Sequence, residues 1–175
     1  MERSEEGLYR LLGGVGALAF ILEGVVLPVS IAAHVLLFLV FRRLAPFKDT
    51  LLWFATAGTA SILTSVLLGL TPVRLLVAPY PFEREAALTV AAAWLISAWF
   101  YWNIATAIFQ KRGLLSAALY TLGAGLFALR IGFLFISLAA LLLAVMFFKT
   151  GLEILQQSDR AGEPPDVPHD GSVYH

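Results

Sequence analysis

Hydrophobic positions fall in four long blocks: Leu11 to Phe41, Leu51 to Leu70, Ala86 to Phe109 and Leu114 to Phe148. Between them lie a basic loop (Arg42, Arg43, Lys48), a proline-bearing mixed loop (Thr71 to Glu85) and a tight basic turn (Lys111, Arg112, Gly113). Unbroken apolar runs of this kind mark membrane spans rather than the core helices of a water-soluble domain. The second and third blocks each have the length of a single span, about 20 residues at a rise of about 1.5 Å. The first and fourth are too long for one comfortable crossing. Each also carries a charge and helix breakers near its middle: Glu23, Gly24 and Pro28 in the first, Arg130 and Gly132 in the fourth. A charge at mid-membrane is expensive, so each long block is expected to fold into a hairpin with its charge at the turn.

Positive charges favour the same division. With both long blocks as hairpins, Arg3, Arg10, Arg42, Arg43, Lys48, Lys111, Arg112, Lys149 and Arg160 fall on one side, against Arg74, Arg84 and Arg130 on the other. Four longer spans, the alternative, split the cations almost evenly and strand Arg130 in the bilayer. The expected fold is therefore an all-α integral membrane bundle of about six short transmembrane helices, possible as a pseudo-symmetric three plus three. Residues 1–155 would form the transmembrane domain in the cell membrane, with both termini cytoplasmic. Residues 156–175, rich in proline and without apolar periodicity, read as a disordered cytoplasmic tail. The first apolar run lacks a basic leader and a small-residue cleavage site, and reads as a retained span.

Composition agrees. Of the 175 residues, 59% are hydrophobic and 14% charged, where a soluble domain carries about 25% charged residues. Twelve Lys and Arg balance twelve Asp and Glu, which argues against nucleic acid as a partner. The absence of cysteine excludes disulfides, thiol chemistry and thiolate metal sites. Expected partners are the lipid bilayer and other membrane subunits or further copies of the chain.

The densest candidate site is in the third block: Trp94, Trp99, Phe100, Tyr101, Trp102 and Asn103. Such rings either anchor at an interface or line a cavity for a flat or apolar ligand, with Asn103 as a polar contact. Thr59, among the hydroxyls and small residues of the second block (Thr56, Ser61, Thr64, Ser65), would add to such a pocket; plain helix packing is the competing reading. Glu23 and Arg130 would either pair across two turns on one side of the membrane or each face headgroups, with a relay role for Glu23 as a further option.

His34, the lone intramembrane histidine, is expected to make an interhelical contact. A haem would need a second axial ligand, and Met146 without any motif is a poor one. His169 and His175, with Asp166 and Asp170, lie in the tail, where a metal site would lack fixed geometry. The glycine runs at Gly13 to Gly16 and Gly123 to Gly125 lack the context of phosphate loops and suit close helix packing. No catalytic constellation, cofactor signature or metal set is visible, so no enzyme is expected.

Two stretches, LLGGVGALAFILEGVVLPVSIAAHVLLFLVFRRLA (Leu11 to Ala45) and KRGLLSAALYTLGAGLFALRIGFLFISLAALLLAVMFF (Lys111 to Phe148), resemble a family of small, mostly archaeal polytopic membrane proteins of unknown function. The resemblance implies paired apolar helices at each end of the chain and brings no activity or site residues. In outline, a six-helix bundle with an aromatic pocket is also similar to the substrate-binding subunits of vitamin importers. The leading expectation is a non-enzymatic solute-binding or transport component. The alternative is a structural or accessory subunit of a larger membrane complex, and an enzyme acting on lipid ranks last.

Overall fold

A computed structural model describes residues 3–21, 27–68, 84–127 and 131–162. They form α1 (Arg3–Ile21), α2 (Leu27–Leu44), α3 (Phe47–Leu68), α4 (Arg84–Phe109), α5 (Gly113–Gly125) and α6 (Gly132–Gly162). A single 3-10 turn, Gln110–Arg112, joins α4 to α5, and there is no strand among the described residues.

The contacts show how the chain turns. Phe20 of α1 meets His34 of α2, and Gly16 faces Leu37, so α1 and α2 run antiparallel. Ser116 of α5 bonds to Ala139 of α6, while Gly123 abuts Gly132 and Ile136, so these two also run antiparallel. Both long apolar blocks therefore reverse direction within themselves, as hairpins require. Glu23 and Arg130, expected at the two reversals, lie outside the described residues.

Each helix packs on its neighbours in sequence, and α1 packs extensively on α6, which closes the six elements into a ring. The closing contact depends on small residues. A Cβ on Gly13 would lie 2.9 Å from the Phe147 ring, and one on Gly14 would lie 2.8 Å from the Phe148 ring. Glycine on α1 thus makes room for phenylalanine on α6. This explains why α1 looks inverted: Gly7, Gly13, Gly14, Gly16 and Ala17 are buried, whereas Leu8, Leu12, Val15 and Leu18 are exposed.

Three boundaries differ from the sequence expectation. α1 starts at Arg3, so Arg10 sits inside the helix. α6 continues through Gly162, past Gln156 where the tail was expected to begin, because no glycine or proline lies between Gln156 and Gly162 and Gln156 and Gln157 are good helix formers. α5 has only 13 residues, about 20 Å at 1.5 Å per residue, shorter than a hydrocarbon core of about 30 Å. Residues 163–175 lie outside the described residues.

The alternation of directions collects charge at one end of the ring. Arg3, Arg10, Arg42, Arg43, Lys48, Lys111, Arg112 and Lys149 all lie there, with Glu5, Glu6, Asp49 and Glu153. Arg42 and Arg43 occupy the last turn of α2, where the helix dipole favours cations. Their guanidinium groups lie over the Phe47 ring at 5.3 Å and the Tyr9 ring at 5.5 Å. Between the two ends, the described parts of the helices contain no Asp, Glu, Lys or Arg.

The outward faces of the helices are apolar as well. Exposed side chains include Ile31 and Leu39 on α2, Leu51 and Ile62 on α3, and Leu115 and Leu122 on α5. On α6, Leu134, Leu138, Leu141 and Val145 form an exposed stripe at helical spacing. Two stretches, Leu88–Gly125 and Gly132–Ser158, are long and apolar enough to cross a membrane. The first is folded back at Gln110–Arg112, so its length is divided between α4 and α5.

Candidate functional site

Helix α4 separates the aromatic cluster into two faces. Val90, Trp94, Ser97, Ala98, Tyr101, Ile104, Ala105 and Ile108 are buried at steps of three and four, the stripe of a helix facing a core. Trp94 and Tyr101 lie on it, 4% and 2% exposed. Trp99 is 70% exposed and Trp102 38%, on the outer face. The rings expected to line one pocket are therefore not brought together. Half-buried Asn103 lies near the basic end, where its side-chain amide donates to Asp49 Oδ1 at 3.4 Å, a long tie between α4 and the start of α3.

The inner face builds a buried hydrogen-bonded ladder. The Ser116 hydroxyl donates its single proton to the Ala139 carbonyl at 2.9 Å, so the Tyr101 phenol, 2.6 Å away, is the donor to Ser116 Oγ. In the same way the Ser97 hydroxyl donates to the Trp94 carbonyl at 2.7 Å, which makes the Tyr120 phenol, at 3.1 Å, the donor to Ser97. Tyr101 and Tyr120 stack with centroids 4.6 Å apart. Each serine thus satisfies a tyrosine from the facing helix, and α4 is tied to α5 and through Ser116 to α6.

The donor directions predict unequal costs. Ser116→Ala leaves a buried phenol proton without its acceptor and should cost about 2 kcal/mol, whereas Tyr101→Phe removes that donor and should cost about 1 kcal/mol. The double variant should cost less than the two together, because without the phenol proton Ser116 is less needed. Thermal unfolding of the four proteins in one detergent checks this, and equal, additive losses would contradict the assigned directions.

Among the described residues, the side chains on the axis of the ring pack closely. Side chains from all the helices, among them Ala17, Leu37, Trp53, Tyr101, Tyr120 and Leu143, enclose a void of about 10 Å³, the room of roughly one water molecule. His34 is buried between the Phe20 ring, at 5.1 Å, and the Trp53 ring, at 5.9 Å. Both neighbours lie on other helices, so its contact is interhelical.

The hydroxyls of α3 turn back on their own helix. Thr56, Thr59 and Thr64 donate to the carbonyls of Leu52, Ala55 and Ala60 at 2.7, 2.8 and 2.7 Å. Thr59 is exposed. Thr64 accepts the Trp94 Nε1 proton at 3.1 Å, a link between α3 and α4 that sequence spacing did not single out. The side chain of Ser65 lies outside the described residues, as do His169 and His175.

Outside the ring, Trp102 of α4 and Ala118, Thr121, Leu122 and Gly125 of α5 line an open, apolar groove of about 440 Å³. These α5 positions share one helix face at steps of three and four. Thr121 and Gly125 are spaced as a small-xxx-small pair, the pattern that lets helix backbones approach closely in membranes. No protein-family model, no curated protein and no solved structure matches this chain.

Proposed function

We propose that this chain is a non-enzymatic multi-pass membrane protein acting as a structural or accessory subunit, packed through its outer helix faces against other membrane chains or further copies of itself. The close packing on the axis, among the described residues, carries this reading. A solute carrier needs a cavity of about 300 Å³ or more for a small molecule, and the void on the axis is about 10 Å³. Among the described residues, a larger apolar space lies on the outer surface, against α5. Large apolar side chains facing outward on each helix suit hydrocarbon, since a water-facing helix would carry polar residues there. The cation-rich end supports a cytoplasmic placement of both termini under the positive-inside rule.

Two experiments test the reading. Because the chain has no cysteine, single cysteines at Val25, Pro81, Ile131 and Ser172 can be labelled from either side of the membrane without background. The first three should react from outside and Ser172 from inside; inaccessible Val25 and Ile131 would return the long blocks to single spans. For the subunit role, Ala118→Cys and Leu122→Cys should cross-link to a second chain in native membranes, while Leu152→Cys, exposed on α6, should not. Ala118→Leu should fill the groove and abolish the adduct. A monomer that shows saturable solute uptake, lost in Trp102→Ala, would overturn the subunit reading in favour of transport.

A further inference from the structure

At the basic end, a cleft of about 390 Å³ opens where α1, the Gln110–Arg112 turn and α6 meet; Arg10, Phe109, Gln110, Lys111, Arg112 and Thr150 line it. Three cations from two distant parts of the chain converge on this space, over a floor made by the buried Phe109 ring. Arg10 is held in place. Its Nε and Nη2 donate to Glu6 Oε1 at 3.1 and 2.8 Å, its Nη1 to Thr150 Oγ1 at 3.3 Å, and its guanidinium lies 5.9 Å from the centre of the Phe109 ring. Lys111 and Arg112 are exposed, and among the described residues neither has a carboxylate partner. One carboxylate against three cations leaves the cleft net positive.

The backbone between these groups is strained. Gln110 has φ 53°, the left-handed region that glycine occupies without penalty and that disfavours residues with a Cβ. It follows the last residue of α4, where glycine is the usual helix terminator. A cation next to a helix C-terminus is accounted for by the dipole. That accounts neither for Arg10 arriving from α1 nor for a side-chain amide at a position whose backbone suits glycine. Strain of this kind gathers where a ligand is held.

We infer that this cleft binds a phosphate-bearing anion, carried by a lipid headgroup or free in solution. Lys111 and Arg112 supply exposed charge and Gln110 a neutral amide donor, while Arg10 is a cation fixed in part by Thr150, whose hydroxyl accepts from it and donates to the Met146 carbonyl. The apolar floor beside a cationic rim matches the junction between a headgroup and its glycerol, and basic pockets between helices on the cytoplasmic side hold such groups. The lipid source rests on the membrane reading above, but the site needs neither a partner subunit nor an oligomer. Its test therefore separates from the test of that reading.

The full-length protein, purified in an uncharged detergent, is titrated with short-chain phosphatidylglycerol, short-chain phosphatidylcholine and inorganic phosphate, with binding read by native mass spectrometry and thermal shift. Binding of phosphatidylglycerol over phosphatidylcholine is expected, and it should weaken as salt rises. The double variant Lys111→Gln/Arg112→Gln should lower that affinity roughly 30-fold. Arg42→Gln/Arg43→Gln, at the same end but outside the cleft, should leave it within about twofold. Gln110→Gly provides a fold-independent control: its melting temperature should rise while its affinity falls. Binding of inorganic phosphate as tight as that of phosphatidylglycerol would assign the cleft to a soluble anion. No anion binding, or equal losses in the two double variants, would overturn the site and leave only diffuse surface charge.

Discussion

Trp94→Ala is expected to destabilise the protein by about 4 kcal/mol, while Trp99→Ala, five residues along the same helix, changes stability by no more than about 0.5 kcal/mol. The asymmetry follows from what each ring touches. Trp94 is 4% exposed and lies edge-on to Phe20 at 6.5 Å and Tyr120 at 6.0 Å, and stacks on Phe127 at 5.9 Å. Its Nε1 also donates to Thr64. One side chain therefore joins α1, α3, α4 and α5. Removing it opens a cavity that these helices, held by their other contacts, can close only in part. Trp99 is 70% exposed, and its loss leaves no cavity inside the ring. Thermal unfolding of both variants in the same detergent decides the matter. The reverse order would mean that α4 is rotated about its axis, which would turn Trp99 and Trp102 inward and restore the case for an aromatic solute pocket.

Much of the architecture was legible because apolar runs of this length, broken by single charges, leave few ways to fold. Apolar run length, the positions of Glu23 and Arg130, and the distribution of Lys and Arg each pointed to two internal hairpins, and the antiparallel contacts of α1 with α2 and of α5 with α6 agree. The turn at Lys111-Arg112-Gly113 was likewise visible, displaced by one residue to Gln110–Arg112.

The aromatic site was harder to read. In sequence Trp94 through Asn103 form one cluster, although the helical period puts Trp94 and Tyr101 on one face, seven residues apart, and Trp99 and Trp102 on another. Hydrophobicity could not say which face turns inward, since both are apolar. The usable signal was residue size: the buried stripe carries Ser97, Ala98 and Ala105, the small side chains that close membrane packing selects. The ladder of Ser97, Tyr120, Tyr101 and Ser116 pairs residues across a turn, so it becomes readable only once the reversal point of the hairpin is known. The cleft at Arg10 could not be found from the sequence at all, because closure of the ring by α1 on α6 brings Arg10 to Thr150 across 140 positions.

Gly113→Ala should lower stability by about 3 kcal/mol, on the order of 10 °C in melting temperature, although it adds only one methyl group. Gly113 has φ −71° and ψ −19°, which any residue adopts, so what it supplies is space. A Cβ there would collide with the Ala105 carbonyl oxygen and lie 2.7 Å from its carbon. Both atoms belong to the backbone of α4 and cannot swing aside as a side chain can. The methyl must push α5 away from α4, which stretches the Tyr101–Ser116 and Ser97–Tyr120 bonds together. Gly14→Ala meets the Phe148 ring at 2.8 Å, which can rotate, so its loss should be smaller. Gly58→Ala meets nothing within 4 Å and should gain up to about 1 kcal/mol from helix propensity. The order Gly113, Gly14, Gly58, measured by thermal unfolding in one detergent, isolates backbone contact from the general dislike of a helix for change. Lys111 and Arg112 immediately precede Gly113, so displacing α5 also moves them relative to Arg10. Anion affinity should therefore fall in Gly113→Ala and stay intact in Gly58→Ala, which ties the phosphate cleft to the same close approach that folds the hairpin.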